Sequence, residues 1–219
     1  MLAELYPPGM IVAELSQTAP PGLLTDEELR SVSHCAPQRI ADFAAGRLCA
    51  RRALEEFGVS AFSLLSAPDR QPQWPGSLVG SITHTAGYSA AAVGRRVSWR
   101  SVGIDCEAVS AVGAQLWPRI LGADELKRLQ TVALALRDSA AALMFAAKEA
   151  FYKCQFPLTG EWLEFRDVEV ESADWDQLAG AFSVRPQRRI RLQAQMREPV
   201  HGRFRVHGPF VSCGVALPA

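Results

Sequence analysis

Lysine is nearly missing from this chain. Of its 23 basic residues only three are lysine, Lys127, Lys148 and Lys153, and the last two lie within six residues of each other. Lysine is a compact ammonium, arginine a planar fork that stays charged. Either codon usage placed these lysines by accident, or Lys148 and Lys153 are positions that need an ammonium. Net charge is missing too, with 23 acidic residues against 23 basic ones. The chain therefore has no global field to gather nucleic acid or a membrane surface. No apolar run approaches the ~20 residues of a membrane span. The N-terminus lacks the basic stretch and apolar core of a secretion signal. Cysteine is sparse and odd in number (Cys35, Cys49, Cys106, Cys154, Cys213), with no C-x-x-C spacing. That argues against a disulfide frame or zinc site and fits reduced thiols in the cytoplasm. What is present is 48% hydrophobic content over 219 residues, enough for one large domain or two small ones.

Four of the 14 prolines fall in residues 1–24, an extended lead-in with one expected strand at Met10–Leu15. Thr25 and Glu28 form a capping-box pattern that opens a short helix to about His34. Pro37 opens a longer helix ending near Phe57, with Gly58 as its stop. On a helical wheel Ile40, Phe43, Ala44, Leu48, Leu54 and Phe57 share the core face, while Ala45 and Arg52 fall outside it. Arg47 and Arg51 fall inside that arc and Arg39 at its edge. An inward arginine needs a carboxylate, an escape past the core edge, or an anionic ligand such as phosphate.

Strands are expected at Leu78–Thr83, running into His84, at Tyr88–Val93 and at Val97–Glu107. Short helices over Gln115–Leu121 and Asp124–Gln130 connect to a long helix at Asp138–Cys154. Alternation then predicts strands at Phe165–Glu171, Ala181–Arg185, Arg189–Met196, His201–Val206 and Val211–Leu217, an antiparallel set. Each half thus holds strands and a long helix, without a residue-level repeat.

Asp105 and Glu107 sit two apart on one strand, so they point the same way, about 6–7 Å apart. They form either an acidic strand end in solvent or part of a site for a hard divalent cation. Glu149 and Lys153, at i and i+4, either pair on a solvated face for about 0.3–0.5 kcal/mol or turn toward that strand, Glu149 adding a third carboxylate. His84 taken alone reads as structural, since a lone histidine usually is.

Three ordered motifs, Gly80-Ser81-Ile82-Thr83-His84-Thr85, Gly103-Ile104-Asp105-Cys106-Glu107 and Lys148-Glu149-Ala150-Phe151-Tyr152-Lys153, together resemble those of 4′-phosphopantetheinyl transferases. The Trp74-Pro75 lead-in is similar to the bacterial branch that includes the enterobactin-synthase component. The resemblance implies an α+β fold, a pseudo-dimer of two similar halves, each an antiparallel sheet packed with a long helix, here residues 1–108 and 109–219. It implies transfer of phosphopantetheine from coenzyme A to a serine of an apo acyl or peptidyl carrier protein, releasing adenosine 3′,5′-bisphosphate. By motif match Asp105, Glu107 and Glu149 would hold Mg2+ or Mn2+. Glu149, Lys153 and Asp105 would be catalytic, with Lys153 against the pyrophosphate. His84 and Thr83 would lie near the nucleotide phosphates, and Lys148 would join the coenzyme A contacts. Arg39 and Arg47 would meet the 3′-phosphate, with the Ser66–Arg70 loop, including Asp69, nearby. Cys106 departs from the usual aliphatic or small residue between the acids but is compatible with it; the loop around Arg70 varies in the family.

The expected carriers are those of siderophore and other nonribosomal peptide, polyketide or fatty-acid synthases. The expected state is a cytoplasmic monomer, since the second half takes the place of a partner. A Mg2+-dependent coenzyme A pyrophosphate hydrolase could use the same acids with water as nucleophile. A silent coenzyme A-binding protein would need the cations but no candidate base.

Overall fold

Backbone pairing gathers the strands into two antiparallel sheets. In this computed structural model, which describes residues 2–85, 87–175, 177–191 and 199–219, β1 (Met10–Leu15), β2 (Leu78–Thr85) and β3 (Tyr88–Arg95) form a sheet in the order β1-β3-β2. β4 (Trp99–Ala108), β5 (Val168–Ala173), β6 (Ala179–Pro186), β7 (Val200–His207) and β8 (Phe210–Pro218) form the other, in the order β4-β8-β7-β6-β5. The architecture is α+β, two antiparallel sheets each carrying a long helix.

The first sheet is covered on both faces, so the middle of its central strand is apolar: Ala90, Ala91, Ala92 and Val93 are fully buried. One face meets α2 (Pro37–Glu55), the other the N-terminal turn and β4. α2 follows α1 (Asp26–Val32), whose capping box forms as expected, Glu28 N–H donating to Thr25 Oγ1 (3.3 Å) and Thr25 N–H to Glu28 Oε2 (2.9 Å). The core face of α2 is broader than the wheel gives. Ala45 is buried together with Ala44, Cys49, Ala50, Ala53 and Leu54, while Ile40, Phe43 and Leu48 are only half-buried. Small residues let the helix lie close to the sheet, and a wheel weighted to large side chains underrates them.

After α3 (Trp117–Ile120) and α4 (Ala123–Thr131), α5 (Arg137–Thr159) packs across the second sheet. It runs past Cys154 and through Pro157, ending at left-handed Gly160 (φ 65°). Proline forfeits one backbone bond there, and the final turn still closes, Gly160 N–H donating to Phe156 O (2.8 Å). The expected strand at Phe165 begins instead with a 3-10 turn, Phe165–Asp167, and pairs only from Val168. Of the expected strand Arg189–Met196, residues 189–191 are not paired as strand and the remainder lies outside the described residues.

β4, placed by the sequence division at the end of the first half, is hydrogen-bonded along its length to β8 at the far end of the chain, with Asp105 opposite Cys213. Alternation within one strand does not name its partner. The free edge of β4 lies against the face of the first sheet at β2, so the two sheets meet edge to face. Side chains close this seam: Ile104 N–H donates to Ser81 Oγ (3.2 Å) and Cys106 N–H to Thr83 Oγ1 (3.0 Å).

Candidate active site

The seam between β2 and β4 opens into a cleft of about 1170 Å³. Asp105, at its floor, is 3% exposed. Its Oδ1 accepts from Thr83 Oγ1 (3.1 Å) and from the Lys153 ammonium (2.6 Å), which also donates to Ile104 O (3.2 Å). Its Oδ2 is buried with no hydrogen-bond partner among the described residues. Lys153 is therefore bonded to Asp105, across from α5, and not to Glu149 on its own helix.

Gly103 sets this geometry. A Cβ there would stand 1.9 Å from the Ala150 carbonyl oxygen, so the α5 backbone rests directly on β4. Glu149 and Lys153, on either side of Ala150 in sequence, are thereby brought over the strand. Glu107, half-buried at the next same-face position, has its pKa pushed up to about 7 by burial, then by Asp105 and Glu149, against Lys153 and a hydrogen bond with Thr85. Burial and Asp105 likewise raise Glu149. Burial works against the Lys153 ammonium, but Asp105, then Glu149 and Glu107, outweigh it and raise its pKa.

Hard oxygen donors, one of them buried without a partner, fit a divalent cation. Among the described residues no three His, Cys, Asp or Glu side chains stand in a group that could by itself hold a metal ion. Mg2+ does not need one, because it keeps waters and takes substrate phosphate oxygens beside one or two carboxylates.

The opposite wall is cationic. Arg47 is 4% exposed, donates from Nε to Leu64 O (2.7 Å) and from Nη2 to Ser66 Oγ (2.9 Å), and lies 4.0 Å over the Phe43 ring. Burial lowers its pKa to about 10. Arg51 takes the ordinary solution to an inward charge, an ion pair with buried Glu28 (2.8 Å). Exposed Arg39 donates to His84 Nε2 (2.7 Å), which fixes a neutral imidazole with its proton on Nδ1. Burial, then Arg39, depress the His84 pKa. Between these groups, Ala67 and Gln71 close a tight turn with Arg70 at φ 71°. Both Asp69 oxygens accept from Gln71, so this carboxylate shapes the turn.

Lys148 does not join the cleft wall as expected. It is 2% exposed, and its ammonium donates to Glu125 Oε2 (2.6 Å), Ile120 O (2.9 Å) and Phe165 O (2.9 Å), using all three protons. It ties α5 to α4 and to the turn before β5. Thr83 does line the cleft, and its hydroxyl is engaged by Asp105 and Cys106. The thiols are silent: burial raises Cys106 and Cys154 to about 12.

The sequence reading missed Tyr152 and Trp162. Both line the cleft and, with Glu149, a second cavity of about 690 Å³. Tyr152 stands 5.5 Å edge-on to Trp162, which is 70% exposed. Tyr152 follows Glu149 by three residues, so the wheel that placed Glu149 could have found it; nothing local marks Trp162.

Residues 26–94 match the 4′-phosphopantetheinyl transferase N-terminal domain, and residues 101–202 match the 4′-phosphopantetheinyl transferase superfamily. The 4′-phosphopantetheinyl transferase PptT of Mycobacterium tuberculosis is 40% identical over 162 residues, 71% of this chain and 70% of that protein. Npt of Nocardia iowensis is 33% identical over 186 residues, 83% of each chain. Svp of Streptomyces mobaraensis is 34% identical over 189 residues, 84% of this chain and 76% of that one.

Proposed function

The chain belongs to the 4′-phosphopantetheinyl transferase superfamily, and from that premise we infer how its own residues carry transfer of phosphopantetheine from coenzyme A to a serine of an apo carrier protein. The observation that carries the reading is the meeting of β2, β4 and α5 at Asp105, where one carboxylate oxygen is bound by Lys153 and the other is buried and, among the described residues, unpartnered.

The serine oxygen attacks the phosphorus that bears pantetheine, and the bond from that phosphorus to the oxygen of adenosine 3′,5′-bisphosphate breaks. Serine is a poor nucleophile at neutral pH and needs its proton removed. Glu149, brought over β4 beside Ala150, is the candidate to accept it. Negative charge gathers on the 5′-phosphate of the leaving adenosine 3′,5′-bisphosphate, where the Lys153 ammonium stands ready. Asp105 Oδ2, Glu107 and Glu149 would hold a divalent cation, Mg2+ or Mn2+, which supplies charge neutralisation of the pyrophosphate when bound. Arg47 and Arg39 take the 3′-phosphate end, where a guanidinium fork matches phosphate. Lys153 and Glu149 thus come from the second half and the anion wall from the first. Phosphoryl transfer depends on positioning and charge neutralisation, which suits a cleft lined by Asp105, Glu107 and Glu149 with Lys153, Arg39 and Arg47.

The carriers would be those of nonribosomal peptide, siderophore, polyketide or fatty-acid synthases, and the working unit a monomer in the cytoplasm. Five free cysteines suit a reducing compartment, and no helix among the described residues is long and apolar enough to cross a membrane. Intact mass of a panel of apo carriers, incubated with this protein, coenzyme A and Mg2+, tests the function. A gain of one phosphopantetheine that EDTA blocks supports it. Coenzyme A cleaved with every carrier unchanged would indicate hydrolysis instead.

A further inference from the structure

The Thr83 hydroxyl is 2% exposed and engaged on both sides. It accepts the Cys106 N–H (3.0 Å) and donates to Asp105 Oδ1 (3.1 Å). Ser81, two residues earlier on the same strand, accepts the Ile104 N–H (3.2 Å). These two hydroxyls satisfy alternate backbone donors on the buried edge of β4, which would otherwise be costly orphans. Thr83 alone adds the bond to the carboxylate. With Lys153 on the same oxygen at 2.6 Å, Oδ1 is held from two directions, one anchor on each half of the chain. Oδ2 is left buried and unpartnered among the described residues.

We propose that Thr83 is a positioning residue for Asp105: from β2 it fixes the carboxylate so that Oδ2 alone is offered to a divalent cation. The proposal rests on the metal-assisted transfer argued above. Partners of this kind, bonded to the far side of a ligand, orient it and tune its affinity. A hydroxyl that touched coenzyme A directly would act on nucleotide binding with or without metal. A positioning hydroxyl acts on metal affinity and leaves metal-free nucleotide binding alone.

The test measures two affinities by calorimetry on the full chain: Mn2+ with coenzyme A present, and coenzyme A in EDTA. Thr83→Val, which keeps the shape and removes the hydroxyl, should weaken Mn2+ about tenfold while changing coenzyme A affinity in EDTA by less than about twofold. Thr83→Ser should restore Mn2+ binding. Ser81→Ala strands a backbone donor at the same seam without touching Asp105, so it should lower the melting temperature and keep Mn2+ affinity. Unchanged Mn2+ affinity in Thr83→Val would overturn the proposal. So would an equal loss of Mn2+ affinity in Ser81→Ala, or a loss of metal-free coenzyme A binding in Thr83→Val that matches its Mn2+ loss. If the unaltered protein binds no Mn2+, the metal reading itself falls and this proposal with it.

Discussion

The Lys153 ammonium lies 2.6 Å from Asp105 Oδ1, across the line where α5 rests on β4 at Gly103. Two residues 48 apart in sequence thus form the pivot of the cleft, and a contact too close for any side chain sets their separation.

Gly103→Ala should disable the enzyme through that contact. The new methyl would need the space of the Ala150 carbonyl oxygen, 1.9 Å away, and neither backbone can yield cheaply. Overpacking of this kind costs about 1–3 kcal/mol and occasionally more. A melting curve should show the loss of stability, and holo-carrier formation per folded molecule should fall as well, because Glu149 and Lys153 move with α5.

Arg47→Ala should weaken coenzyme A about tenfold or more, the scale of a lost charged hydrogen bond, and 3′-dephospho-coenzyme A far less. Calorimetry with both ligands measures it. Arg47 also donates to Leu64 O and Ser66 Oγ, so some general loss is expected. Equal loss for the two ligands would mean that Arg47 is not on the 3′-phosphate.

Lys148 should prove structural. Its pair with Glu125 has both side chains 1% exposed. Lys148→Ala leaves a buried carboxylate without its cation and should cost about 3–5 kcal/mol. Replacing both partners, Lys148→Met with Glu125→Gln, removes the unpaired charge but leaves Ile120 O and Phe165 O without a donor, so it should recover only part of that. Urea melts report both, and coenzyme A affinity per folded molecule should be unchanged in the double variant.

His84 sets a pH dependence whose sign follows from its depressed pKa. As pH falls through about 6.5, the unfolded chain's histidine takes a proton that the folded one, buried and facing Arg39, refuses. The unfolded state then binds more protons, so stability contributed by His84 is present above about pH 6.5 and is lost as pH falls below it. Urea midpoints from pH 8 down to about pH 5 should drop less steeply for His84→Asn than for the unaltered chain.

Local patterns made much of this legible. The capping box at Thr25, the strand with Asp105 and Glu107 and the long helix with Glu149 and Lys153 all follow from periodicity and turn chemistry. A fuller wheel count would also have separated the two lysines. Five residues apart on a helix, they point about 140° from each other, so Lys148 and Lys153 cannot both face one cleft. The seam was not legible, because nothing in β2 or β4 says that the edge of one meets the face of the other. The roles of Ser81, Thr83 and Gly103 arise only there. The pairing of β4 with β8 was hidden for the same reason, and the small-residue face of α2 because Ala45 carries little hydrophobic weight.

The most direct measurement is holo-carrier formation by Asp105→Ala and Glu149→Ala under saturating coenzyme A and Mg2+, with circular dichroism and melting curves to establish the fold. The account predicts that both stay folded and that transfer falls by at least about 10³-fold, the scale of losing a group that acts in the transition state. Near-normal turnover by either folded variant would contradict it.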